Sequence, residues 1–141
     1  MRQWLPVLAA LAMIGSVASC AAPAATAPPH ASGSTGSRPS SPAMVQIAEP
    51  KQHQVVTGST VHVVLTLENA RIVPQTSTNI RPDEGHVHLY VDNVLVSMNY
   101  GLTQDLPVHP GTYVLKAEFV AADHAPFSPR VYSAPVVFTV R

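Results

Sequence analysis

Gly85-His86-Val87-His88-Leu89-Tyr90-Val91-Asp92-Asn93 is the stretch around which this chain must fold. Read with period two, Val87, Leu89 and Val91 fall on one side and His86, His88, Tyr90 and Asp92 on the other. The apolar triplet belongs in a core; the polar row is left to water, a metal or a partner. Asp92-Asn93 then opens a turn into Val94-Leu95-Val96, so a β-hairpin follows at once.

The remaining strands are placed around this one. Val45-Gln46-Ile47 alternates from Met44 onward, and Glu49-Pro50 closes a short edge strand, where proline is tolerated. Gly58-Ser59 turns into residues 60–67, with Val61, Val63, Leu65 and Leu67 facing inward and His62, Thr66 and Glu68 outward. Residues 69–84 form a long irregular connection whose only apolar run is Ile72-Val73, and long loops in small domains are often functional. The hairpin partner covers residues 94–100. Pro110-Gly111-Thr112-Tyr113 resembles the tyrosine corner of Greek-key sandwiches. Beyond it, Tyr113, Leu115, Ala117 and Phe119 share one face, with Thr112, Lys116 and Glu118 on the other. The last strand turns Val136, Phe138 and Val140 inward. Short strands spaced by turn signals, without helical periodicity, predict an all-β, immunoglobulin-like Greek-key sandwich of about seven strands over residues 44–141. It has neither the inter-sheet disulfide nor the buried Trp of antibody domains. About a hundred residues bury enough surface to fold without disulfides.

The N-terminal third reads differently. Met1-Arg2 is a short positive start, and residues 3–17 are an apolar run broken by Pro6, Gly15 and Ser16. This is the pattern of a secretory signal over residues 1–19, too short and wrongly flanked for a transmembrane helix. Val17-Ala18-Ser19-Cys20 resembles the lipobox of bacterial lipoproteins. That resemblance implies cleavage before Cys20, lipidation of its thiol and acylation of the new amino terminus, palmitate being the expected chain. It also implies an address on the extracytoplasmic face of the cell membrane. Each buried methylene would contribute about 0.8 kcal/mol to anchoring. Residues 20–43 are almost entirely Ala, Pro, Ser, Thr and Gly and cannot repay the entropy of ordering, so they are expected to form a disordered tether. As a flexible coil it would span about 25 Å. The Ala-Pro-rich composition is that of a high-GC bacterium, an actinobacterium being the expectation.

Charge and motif content narrow the function. Eight basic and eight acidic residues give a net charge of zero, which argues against nucleic acid or an anionic membrane surface as an electrostatic partner. The single cysteine allows no intramolecular disulfide and, as the lipid site, leaves no thiol nucleophile. There is no Gly-x-Ser-x-Gly and no His-Glu-x-x-His, so an enzyme is not expected.

In such a sandwich the loops after the second strand and before the last emerge at one end. That brings Asp83, Glu84 and His86 toward Asp123 and His124, with Phe127 as an exposed aromatic nearby and His53 and His109 toward the other end. One reading is a binding module that docks an envelope protein through this end or through a face of Tyr90, Asp92 and Phe127. A second is a copper or zinc site drawn from His86, His88, Asp83, Asp123 and His124, because His-x-His on a strand presents two imidazoles to one side. A third leaves the histidines as surface residues capping sheet edges. The His-Val-His stretch resembles a copper-ligand strand of copper-zinc superoxide dismutases. This chain lacks that family's disulfide cysteines and downstream histidines, which excludes a dismutase. Residues 44–141 are more similar to small exported bacterial sandwich domains with a Gly-His-x-His-Leu-x-x-Asp strand and a Pro-Gly-x-(His/Tyr) turn. Tyr113 stands where a histidine often does, so a ligand role for that histidine would not carry over. The expectation is a lipid-anchored, non-enzymatic binding module without a cofactor, the alternative being a copper- or zinc-binding envelope protein.

Overall fold

β8 (Gly111–Ala121) is the spine of the structure, a computed structural model that describes residues 37–141. The signal sequence, Cys20 and most of the tether lie outside the described residues. Along one flank β8 pairs antiparallel with β5 (Glu84–Val91), from Gly85↔Ala121 to Val91↔Leu115. Its other flank is shared: β10 (Val136–Val140) pairs with the first half and β9 (Pro126–Tyr132) with the second. Ser133 closes the gap between them, its N–H donating to Ala117 O at 2.8 Å and its Oγ accepting from Ala117 N–H at 3.0 Å.

β6 (Val94–Asn99) and the two-residue β4 (Arg71–Ile72) both pair with β5, and β2 (Val55–Val56) runs parallel to β10. The second sheet is β1 (Met44–Glu49), β3 (Thr60–Glu68) and β7 (Thr103–Pro107), in that order. From β3 the chain crosses to β5, returns from β6 to β7 beside β3, and crosses again to β8. That is a Greek-key, immunoglobulin-like sandwich. The ten segments are more than the sequence suggests because short pieces share positions: β9 and β10 divide one flank of β8, and β4 and β6 divide one flank of β5.

The core lies between the sheets and follows the period-two pattern. Val61, Val63 and Leu65 of β3 face Val87 and Leu89 of β5, with Leu115, Ala117 and Phe119 of β8 and Phe138 and Val140 of β10, all buried. The tyrosine corner is present: Tyr113 donates its hydroxyl to His109 O at 2.9 Å, four residues back. Asp92 and Asn93 both take left-handed φ (50° and 66°), as a tight hairpin turn between β5 and β6 requires.

The structure corrects two expectations and shows one acid of the outer face to be buried. Phe127 is not exposed but is a core residue, because Pro126 already belongs to β9. Pro126 pairs with Val120, a register shift then sets Val131 opposite Phe119, and Phe127 turns into the core to stack on Phe119, with ring centroids 5.6 Å apart. Glu118 points away from the core, yet it is fully buried. Its carboxylate accepts from Tyr90 Oη at 2.8 Å and pairs with Arg130 Nε at 2.8 Å, as a buried charge must. Residues 38–43, read from composition as tether, pack on the domain: Arg38 pairs with Asp123, Pro39 O accepts from Ser128 N–H, and Ala43 is buried.

Candidate functional site

The polar row of β5 is not an open face. His86 is 0% and His88 5% exposed, while Tyr90 and Asp92 grade toward solvent. Two segments cover the histidines. The β8–β9 turn folds back through bonds from His124 N–H to Ala121 O (2.9 Å) and from Ala121 N–H to Ala125 O (3.1 Å). The long β4–β5 connection lies against it, with Ser77 N–H donating to Ala122 O at 3.1 Å. This turn holds His124 at φ 64°, a left-handed conformation that costs a non-glycine residue roughly 1–2 kcal/mol. Such strain is typical of side chains positioned for a purpose.

Gly85 sets the depth of the site. A Cβ there would overlap the carbonyl oxygen of Val120, so only glycine lets β5 approach β8 this closely just before His86.

The result is a cluster of three imidazoles. His86 Nε2 and His124 Nδ1 are 2.8 Å apart, one of them carrying the shared proton. The rings of His86 and His88 stand 5.5 Å from each other and 4.1 and 5.8 Å from that of His124. One ligating nitrogen from each lies within 4.8 Å of the other two. His86 Nδ1 and His88 Nε2 are buried and make no hydrogen bond among the described residues. Burial, reinforced by His124 and His88, lowers the His86 pKa to about 4. His88 is lowered chiefly by burial and then by His124. Both imidazoles are therefore neutral at physiological pH, the form that binds metal. Two nitrogens held about 2.0–2.1 Å from one tetrahedral ion stand about 3.3 Å apart, so the His86–His124 contact needs to open by only a few tenths of an ångström.

The acidic candidates are engaged elsewhere. Asp123 accepts both guanidinium nitrogens of Arg38, at 2.7 and 2.9 Å, which holds its carboxyl below the usual range. Glu84 pairs with Arg71 and with Arg81 Nε at 2.9 Å, and Asp83 lies 3.8 Å from Arg81 Nε. The structure thus brings His86, His88 and His124 together and leaves Asp83 and Asp123 outside that set. Of the partner face, Tyr90 is tied to Glu118, its hydroxyl pushed up to about 12 mainly by burial, and Asp92 bonds Val114 N–H at 2.9 Å. Phe127, being in the core, contributes nothing to that face. His109 sits at the tyrosine corner before β8, away from Ala121 and the cluster.

Sequence reasoning did not find Thr76, Met98 and Tyr100. Thr76 Oγ1 and Tyr100 Oη lie 3.1 and 3.4 Å from His124 Nε2, and the Tyr100 ring stands 5.1 Å from His86. For Met98 and Tyr100 the signal is a β-bulge in β6. Tyr90 pairs with Leu95 but Leu89 with Ser97, so Val96 is extra; that residue moves Met98 opposite His88 and, counting on, Tyr100 opposite His86.

No protein-family model matches the chain, and no curated protein does. Among solved structures, the chain is similar to the fibronectin(III)-like modules of Clostridium thermocellum CbhA. The identity is 15%, over 69% of this chain and 93% of that one, with a TM-score of 0.41.

Proposed function

We propose that this protein is a lipid-anchored, extracytoplasmic module that binds a transition-metal ion, copper or zinc, through His86, His88 and His124. One observation carries the reading: two buried imidazoles, one of them with a nitrogen (His88 Nε2) that has no hydrogen-bond partner among the described residues, converge on a third histidine held by a strained turn. An unpaired polar atom inside a protein costs about 1–3 kcal/mol, and a metal ion in the cluster would give His88 Nε2 a partner. Neutral imidazole suits zinc, copper and nickel, and three histidines leave a position open for a further ligand.

The anchor is supported by the Val17-Ala18-Ser19-Cys20 pattern and by the low-complexity stretch after it. Membrane fractionation with labelled palmitate tests it: Cys20→Ser should lose the label and leave the membrane pellet. For the metal, equilibrium dialysis of the full chain with Zn(II) or Cu(II) should give one ion per chain. His86→Ala and His124→Ala should each weaken binding, and His109→Ala should not. Wild-type stoichiometry and affinity in both cluster variants would reject the ligand set.

Docking of a protein partner is a second reading with its own support. Val94, Leu95, Val96 and Met98 of β6 are all exposed, Val94 by 64%, on a strand with no neighbour beyond it among the described residues. Exposed apolar edges are ordinarily covered or blunted by charge.

A further inference from the structure

The β6 bulge delivers one donor to the histidine cluster that is neither charged nor already engaged. Met98 stands directly opposite His88 across the β5–β6 ladder. Opposed residues of an antiparallel pair share a face, with Cβ atoms about 4.5–5.5 Å apart. Methionine, unbranched and flexible with a polarisable thioether, can cover that distance. On the other flank His88 faces Glu118, whose carboxylate is held by Tyr90 and Arg130. His88 Nε2 has no hydrogen-bond partner among the described residues, and Met98 is 55% exposed.

The charge of the site points the same way. Imidazole ligands bring no negative charge, and the nearby carboxylates of Glu118 and Asp123 are already balanced by Arg130 and Arg38. No unbalanced anion among these residues offsets an incoming dication, and burying uncompensated charge grows costlier as that charge rises. A monovalent ion suits such a site better. Thioether sulfur, in turn, is a soft donor that selects Cu(I) over the harder divalent ions.

We infer that Met98 is a ligand of this site and makes it a receptor for Cu(I). The inference rests on the three-histidine reading above. It adds both the oxidation state of the ion and a residue that discriminates it from zinc.

Anaerobic titration of the full chain with Cu(I), against a chromogenic Cu(I) chelator, tests the proposal when run beside Zn(II) binding. Met98→Leu keeps the volume and removes the sulfur at an exposed position, so folding is preserved. It should weaken Cu(I) by at least the roughly tenfold that loss of even a supporting group costs a metal site. Zn(II) affinity should not change, and sulfur scattering should vanish from the copper X-ray absorption spectrum. Unchanged Cu(I) affinity in Met98→Leu, with His88→Ala weakening both metals, would overturn the Met98 assignment and leave the histidine site standing. Equal losses for Cu(I) and Zn(II) in Met98→Leu would also overturn it, since the sulfur would then not discriminate. A wild-type chain that takes up neither metal would remove both readings together.

Discussion

Arg38 grips Asp123 across 85 residues of chain with two parallel bonds, at 2.7 and 2.9 Å, and with the same guanidinium donates to the carbonyls of Ala125 and Pro126, both at 3.0 Å. The turn so clamped carries His124. A residue at the end of the composition-defined tether therefore fixes one member of the histidine cluster. Arg38→Ala should cost about 1.5–3 kcal/mol, the range for hydrogen bonds to charged groups. More tellingly, it should weaken metal binding and expose residues 121–125 to proteolysis. Arg38→Lys should recover the charge but not the fork, so rescue should be partial. Metal affinity equal to wild type in Arg38→Ala would show that the turn holds His124 without the clamp.

The histidine cluster also makes stability depend on pH, with a definite sign. An unfolded His86 takes up a proton near pH 6.5, whereas the folded one resists until about pH 4. Between those values the unfolded chain binds more protons, so stability falls as pH falls through the window. His88, shifted in the same direction, adds to the loss. The slope per group is at most about 1.4 kcal/mol per pH unit, and less to the extent that solvent screens the cluster. Urea melts of the metal-free protein between about pH 7 and pH 4.5 should show this decline, and His86→Gln should flatten it. A wild-type midpoint constant across that interval would contradict the burial of the cluster.

The core was legible in the sequence because it depends only on alternation. Val61, Val63 and Leu65, Val87 and Leu89, and Leu115 to Phe119 alternate on backbone that a sandwich pleats regularly. The tyrosine corner was legible because a Pro-Gly turn fixes where Tyr113 falls. Topology sufficed to bring residues 83–86 and 123–124 to one end. The burial of that end was not legible, because it depends on which loops fold over the sheet. Nothing in Arg38 or Thr76 announces that they meet the 121–125 turn. Nor can period two foresee one extra residue at Val96, although that residue decides which face Met98 and Tyr100 occupy. Phe127 was lost for a similar reason: Asp123-His124-Ala125-Pro126 reads as an extended loop, whereas the turn is tight and the strand resumes at Pro126.

Phe119 and Phe127 stack at the centre of the core, with ring planes 12° apart. Either change to alanine should cost about 3–5 kcal/mol through lost burial and the cavity left behind. Because the rings touch, the double variant should lose less than the sum of the singles. Tyr113→Phe, which removes one hydroxyl hydrogen bond at the corner, should cost only about 1 kcal/mol. Denaturant melts of the three single variants and the double one check the ranking. A harmless Phe127→Ala would return that residue to the surface.

Two glycines of β5 and β8 should respond in opposite ways to the same added methyl group. At Gly111 the nearest atoms to a new Cβ belong to the Tyr113 ring, at 3.5 and 3.6 Å, which is ordinary contact. Gly111→Ala should therefore be neutral, or stabilise by about 0.4–1 kcal/mol through a less flexible unfolded chain. At Gly85 the new Cβ would meet the Val120 carbonyl, and backbone cannot swing aside as a side chain can. Gly85→Ala must push β5 from β8 where His86 pairs with Val120, so it should destabilise the domain and spread the three imidazoles. Thermal melts and zinc affinity measured on both variants separate the effects. Equal tolerance at the two positions would mean that the close approach at Gly85 does not set the depth of the site.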